Sequence, residues 1–213
     1  MLVSTNYNEW NRAGKIIMEN TTTILDNKAK LMRAAIDLMA EKGYKGVSTK
    51  EIAAAAGVSE MTLFRNFGSK INLLDKAVDH YHYSIEMTQI FDEQVIGDLR
   101  ADLLMISRMY HEMMERNRKL FLIVLSDQEL AEIREKAQKH PRKLLELLTN
   151  YFIDMQRKNK MVATDAEMQA ITFMWMNYGA FISQLFVKSE LTAKSKQDFM
   201  SSSVELFVRA LSP

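Results

Sequence analysis

Apolar residues recur at intervals of three and four along most of the chain, the repeat of helices that bury one face. Between Ser48 and Lys70 the pattern is densest in local signals. The segment reads STKEIAAAAGVSEMTLFRNFGSK. Ser48 with Glu51 three residues later makes a capping box, so a helix starts there and buries Ile52, Ala53 and Ala56. Gly57 ends it, because glycine enters the left-handed conformation without steric cost, and Val58 then fills the inside of the corner. Ser59 caps the next helix, whose inward positions are Leu63 and Phe67. Glu60, Met61, Thr62, Phe64, Arg65 and Asn66 are spread over its remaining surface. The small side chains of Ala53 and Ala56 let two steeply crossing helices approach closely.

Beyond this corner the same period predicts a series of longer helices. Ser69 caps a fourth, with Ile71, Leu74, Val78, Tyr81 and Ile85 inward, running to about Ile90. A break at Gly97 precedes a helix from about Asp98 to Arg116. Asn117 caps another carrying Leu120, Phe121, Val124 and Leu125, and the short polar segment QELAEIREKAQ follows. Pro141 reads as the first turn of a helix reaching about Asn159. Thr164 or Asp165 caps a long helix to about Val187, and a last one runs from about Lys194 to Leu211. The expectation is an all-α chain of about nine helices.

Composition supports this and narrows the function. With 213 residues, 47% hydrophobic, two prolines and seven glycines, the chain can bury a sizeable core and has little room for long loops. No apolar run approaches the ~20 residues of a membrane span, and the N-terminus lacks a signal-peptide layout. Cysteine is absent, which removes disulfides, zinc ribbons and thiol catalysis and makes a cytoplasmic location the expectation. Charge is unevenly spread. Residues 28–76 hold nine Lys or Arg against five Asp or Glu, a local +4, so with a whole-chain charge of +1 the remainder totals −3. A basic region joined to a mildly acidic one fits nucleic-acid binding at one end.

With the preceding helix, the stretch AKLMRAAIDLMAEKGYKGVSTKEIAAAAGVSEMTLFRNFGSKINLL resembles the N-terminal domain of the tetracycline-repressor (TetR) family of bacterial transcriptional regulators. The resemblance covers about residues 28–76. It is carried by Ala34, Ala35, Gly43, Tyr44, Thr49, Ile52, Ala53, Ala56, Gly57, Val58, Ser59, Leu63, Phe67 and Lys70 in order and spacing. It implies three regions: an N-terminal extension (1–26), a three-helix helix-turn-helix DNA-binding domain (27–76), and a larger helical effector-binding and dimerisation domain (77–213). Thr49, Thr62 and Lys70 fall where the family contacts DNA phosphates, which sets register. Glu60, Met61, Arg65 and Asn66 fall where relatives reach base edges, with Arg65 the first choice as a sequence reader. Phe64 departs from the pattern. Many relatives have a tyrosine there whose hydroxyl reaches a phosphate; the phenylalanine ring is instead suited to a thymine methyl. For Glu60 the competing role is to stabilise the helix N-terminus.

In the C-terminal region, Ile171, Met174, Trp175, Tyr178, Phe181, Ile182 and Leu185 cover more than one helix face. Pairing of the last two helices, including Phe199, Val204, Phe207 and Val208, with a second copy is expected to give a four-helix homodimer interface. The 16 methionines are in excess. Met105, Met109, Met113 and Met155, with Phe121, Phe152, Phe173, Trp175, Asn177 and Tyr178, are the candidate lining of a pocket for a small apolar effector; ordinary core packing is the competing role. His111, Tyr110 and Gln184 are further polar candidates. His111-Glu112-Met113-Met114-Glu115 lacks the second histidine of a zinc-protease motif, and His80 and His82 point different ways, so no metal, cofactor or catalytic site is expected. The alternatives are an architectural DNA-binding protein without effector and a helical enzyme with an incidental corner.

Overall fold

The computed structural model describes residues 26–81, 84–186 and 193–213, and these are helical with short connections. The N-terminal extension to residue 25, the side chains of His82 and Ile85, and Val187 lie outside the described residues. The chain divides into two compact units, residues 1–80 with 123–129 and residues 81–122 with 130–213.

In the first unit, helix α1 (26–42) buries Leu31, Met32, Ala35, Ile36 and Met39, a three-and-four spacing that makes one inward stripe. It stops at Gly43, whose positive φ of 79° turns the chain. Helices α2 (Thr49–Ala55), α3 (Glu60–Phe67) and α4 (Lys70–His80) follow. Ile52, Ala53, Ala56, Leu63, Phe67, Leu73, Leu74 and Ala77 complete the core of the unit with α1. Full burial of side chains such as Ile52 and Leu63 stabilises by roughly 1.5–3 kcal/mol each.

The second unit holds α5 (Ser84–Gln94), α6 (Leu99–Arg116), the start of α7 (Arg118–Ser126), α8 (Ala131–Ala137), α9 (Lys139–Arg157), α10 (Ala166–Phe186) and α11 (Lys196–Leu211). Helix α10 packs on α9 and α6, α11 packs on α6, and α5 packs on α9. The side chains Phe152, Phe173, Leu103, Ile106 and Met113 are fully buried among them. Two polar fastenings cross this core. Buried Asp102 accepts from the backbone N–H of Ile96 (3.0 Å) and Gly97 (2.8 Å) and from the Tyr151 hydroxyl (2.9 Å), joining the entry of α6 to α9. Burial and the neighbouring Asp102 charge push the Tyr151 phenol upward, so it stays a donor. Between α6 and α10, Ser107 donates to Asn177 Oδ1 at 2.6 Å and Asn177 Nδ2 donates to the Phe173 carbonyl at 2.8 Å.

Several sequence expectations change here. The fourth helix does not run unbroken from Ser69 to Ile90; it ends at His80, with a turn at Tyr81, and α5 is a separate element. Its inward stripe is Leu73, Leu74 and Ala77, whereas Ile71 and Val78 are only partly covered. The polar segment after α7 forms a 3₁₀ turn (Gln128–Leu130) and then α8, because Leu130 and Ile133 supply one buried side. Asn117 does precede α7, but its side chain donates back to the Met113 carbonyl and closes α6. Asp165, whose carboxylate accepts from Met168 N–H, caps α10, and Ser195 with Asp198 caps α11 two residues later than Lys194.

Candidate nucleic-acid interface

The corner between α2 and α3 is built from local hydrogen bonds. Ser48 Oγ accepts from Glu51 N–H at 3.2 Å while the Glu51 carboxylate takes the Ser48 N–H (2.9 Å) and hydroxyl (2.8 Å). Those two donors, with Lys42 Nζ at 3.1 Å, hold the Glu51 carboxyl down at about 2. Gly57 has φ 68°, and Val58 N–H reaches back to the Ala53 carbonyl at 3.0 Å, so the reversal is closed by backbone alone. Ser59 Oγ then accepts from Thr62 N–H and starts α3. Gly68, at φ 73°, ends α3 within one residue of Phe67.

Three hydrogen bonds, one from Thr49 and two from Lys70, fix the corner from outside. Thr49 Oγ1 donates to Glu60 Oε1 at 2.6 Å, tying the first turn of α2 to the first turn of α3. Lys70 Nζ, at the start of α4, donates to the carbonyls of Tyr44 (2.7 Å) and Val47 (2.8 Å) and lies 4.2 Å from the centre of the Tyr44 ring. Burial lowers the Lys70 pKa, while Asp127 and Glu129 pull it back up. Sequence reasoning missed this clamp and the Lys45–Glu129 ion pair at 2.8 Å beside it. No local spacing could signal contacts between positions so far apart in the chain.

The side chains of α3 separate into three sets. Leu63 and Phe67 face the core. Glu60 bonds Thr49, Thr62 shares a 2.9 Å bond with the Ser59 hydroxyl, and Asn66 Nδ2 donates to the Thr62 carbonyl at 2.7 Å. Met61, Phe64 and Arg65 remain, related as i, i+3 and i+4, and all three are exposed, Met61 at 75% and Phe64 at 44%. Arg65 makes no hydrogen bond or ion pair with any described residue. A capped helix on a rigid corner thus presents a guanidinium beside two bare apolar side chains.

Residues 31–77 match the family model for bacterial regulatory proteins of the tetR family. An uncharacterised helix-turn-helix-type transcriptional regulator of Bacillus subtilis, YvkB, is 29% identical over 184 residues, covering 86% of this chain and 96% of that protein. The helix-turn-helix domain is of the TetR family. With it the chain is a DNA-binding protein of transcription regulation. A Mycobacterium tuberculosis helix-turn-helix-type transcriptional repressor, Rv3405c, is 32% identical over 71 residues, 33% of this chain and 37% of that one. The TetR fold extends over nearly the whole chain. NalD, the secondary repressor of the MexAB-OprM multidrug efflux pump in Pseudomonas aeruginosa, superimposes with a TM-score of 0.67 at 19% identity, covering 89% of this chain and 98% of its own. A TetR-family regulator from Agrobacterium tumefaciens gives 0.64 at 18% identity, covering 89% and 100%.

The residues named for an effector pocket lie in several different settings. Met105, Met109 and Met113 line a groove of about 260 Å³ on α5 and α6 together with Ile90, Gln94 and Arg108. Phe152, Met155 and Phe173 are close-packed core, and Phe121 stands edge-on to Phe181 at 5.4 Å. Asn177 is buried in its bond with Ser107, whereas Trp175 is 66% exposed and Tyr178 lies beside it on the outer face of α10. Among the intended dimer residues, Val204 is in the core and Phe207 stands edge-on to Phe173 at 5.2 Å. The bare apolar side chains are instead Met168, Trp175 and Phe186 on one line of α10, and Leu206 on α11. Among the described residues no group of three His, Asp or Glu could hold a metal ion, and no helix is long and apolar enough to cross a membrane.

Proposed function

We propose that this chain is a homodimeric repressor that occupies a palindromic operator and leaves it when a small apolar molecule enters the C-terminal helical unit. The observation that carries the DNA half of this reading is the outward face of α3, where Arg65 stands free beside Met61 and Phe64. In the complex, Arg65 bonds a guanine edge, discriminating by about 1–3 kcal/mol. Thr49, Thr62 and Lys70 serve phosphates. Lys70 keeps one ammonium hydrogen for that purpose after satisfying Tyr44 and Val47, and the backbone N–H groups at the start of α2 lie beside Thr49. Glu60 acts chiefly by holding Thr49, and Asn66 by bracing its own helix.

Dimerisation follows from two requirements. A palindrome needs two recognition helices about 34–36 Å apart or a multiple of that, which one copy cannot supply. The exposed line Met168, Trp175 and Phe186 on α10, with Leu206 on α11, is an apolar face that a second copy would cover about a two-fold axis. For the effector, the groove lined by Met105, Met109 and Met113 is the candidate site, since methionine adapts to irregular apolar shapes. Release from DNA requires that the effector bind the DNA-incompetent arrangement more tightly than the competent one. The reading is supported by relatives that are repressors, NalD and Rv3405c. Selection of bound duplexes from random DNA tests it: an enriched palindrome is expected, and a selection without one contradicts it.

A further inference from the structure

The free side chains of α3 go further than DNA binding in general, because they indicate what kind of base is read. The polar residues a reader helix ordinarily uses are here engaged by the protein itself. Glu60 accepts the Thr49 hydroxyl, Thr62 shares a hydrogen bond with Ser59, and Asn66 spends an amide hydrogen on the Thr62 carbonyl. That last bond also settles the amide orientation, since only the nitrogen can donate to a carbonyl. Bidentate reading of adenine needs an asparagine pointed outward with both groups free, and Asn66 is turned back along its helix. What remains exposed is Met61, Phe64 and the guanidinium of Arg65.

We propose that α3 reads thymine by its 5-methyl group, through Met61 and Phe64, beside a guanine bonded by Arg65. The inference rests on the DNA-binding reading above and adds to it the chemistry of the operator. Three observations favour a duplex groove over another protein as the occupant of this face. The local +4 of residues 28–76 complements phosphate, a cation adjoins the apolar pair, and the pair is confined to the helix that the capped corner projects. In the major groove thymine alone among the four bases carries a methyl, so exposed apolar side chains there have one natural target. Phe64, lacking a hydroxyl, makes no hydrogen bond to a phosphate that would hold its ring away from the bases.

The experiment is fluorescence anisotropy with a selected operator duplex and with copies in which single thymines are replaced by deoxyuridine. This exchange deletes the methyl and keeps every hydrogen-bonding group. At one or two positions per half-site the affinity should fall roughly fourfold per methyl. Met61→Ala and Phe64→Ala should each abolish the penalty at one position, while the slope of affinity with salt stays the same, because no phosphate contact is removed. Both residues are exposed, so unchanged thermal melting serves as the folding control. Tight operator binding indifferent to uracil at every position overturns the thymine proposal and leaves the regulator reading intact. Failure to bind any selected duplex overturns both.

Discussion

Thr49 donates to Glu60 across the helix-turn-helix at 2.6 Å, so a residue expected at a phosphate and one expected at a base are first of all partners of each other. A hydroxyl bonded to a carboxylate in a partly exposed site stabilises by about 1 kcal/mol. Thr49→Val keeps the side-chain shape and removes the donor, and should lower the unfolding free energy by about that amount in urea titration. Glu60→Gln should behave differently. It removes a negative charge from the groove-facing helix, so duplex affinity at low salt should rise even as thermal stability falls slightly.

Lys70 is bound to two carbonyls of the loop between α1 and α2, which makes it a brace as well as a cation. Lys70→Met should cost about 1–2 kcal/mol of stability by leaving the Tyr44 and Val47 carbonyls without this donor. It should also weaken binding to operator and scrambled duplexes alike, and reduce the salt slope by about one. Arg65→Ala should show the opposite profile, with unchanged stability and lost discrimination.

On the outer face of the C-terminal helices, Trp175 and Leu206 are exposed at 66% and 64%, so charges placed there do not disturb the core. The double substitution Trp175→Glu and Leu206→Glu should leave helicity unchanged and convert a dimer to a monomer in sedimentation velocity. Affinity for the full palindrome should drop to that of a half-site, since the second recognition helix no longer arrives with the first. A variant that remains dimeric locates the interface elsewhere.

His111 lies buried between α6, α10 and α11, flanked by Tyr110, Phe199, Asn177, Glu115 and Lys196. Burial, and then the Lys196 charge, lower its pKa below the ordinary 6.5, against the smaller raising effects of Asn177 and Glu115. The unfolded chain therefore takes up a proton that the folded one resists. Stability is fully present above pH 6.5 and declines as the pH falls below it. Melting temperature should drop as the pH falls from about 6.5 to 5.5, and His111→Gln should flatten that dependence. An identical slope in the variant assigns the effect to another group.

The corner was legible in the sequence because its signals are local: a capping box at Ser48 and Glu51, a glycine that needs φ 68°, and a serine cap at Ser59 all act within a few residues. Ile52, Ala53, Ala56, Leu63 and Phe67 are buried as their spacing requires. What the sequence concealed depends on tertiary placement. Whether Asn66 points outward or back to Thr62 is a rotamer choice, and whether Lys70 is free or clamped depends on a loop more than twenty positions away. The same limit applies to α10, where several faces are apolar. Helical spacing alone does not decide that Met174 turns inward while Trp175 remains in solvent.

The central claim is that the free face of α3 discriminates between duplex sequences, and the difference in affinity between a selected operator and its scrambled counterpart tests it most directly. At physiological salt the wild-type protein should bind the operator at least about a thousandfold more tightly. Arg65→Ala should lose about ten- to a hundredfold of that difference while melting as the wild type does. Equal affinity for both duplexes, or discrimination untouched by Arg65→Ala, Met61→Ala and Phe64→Ala together, would contradict the account.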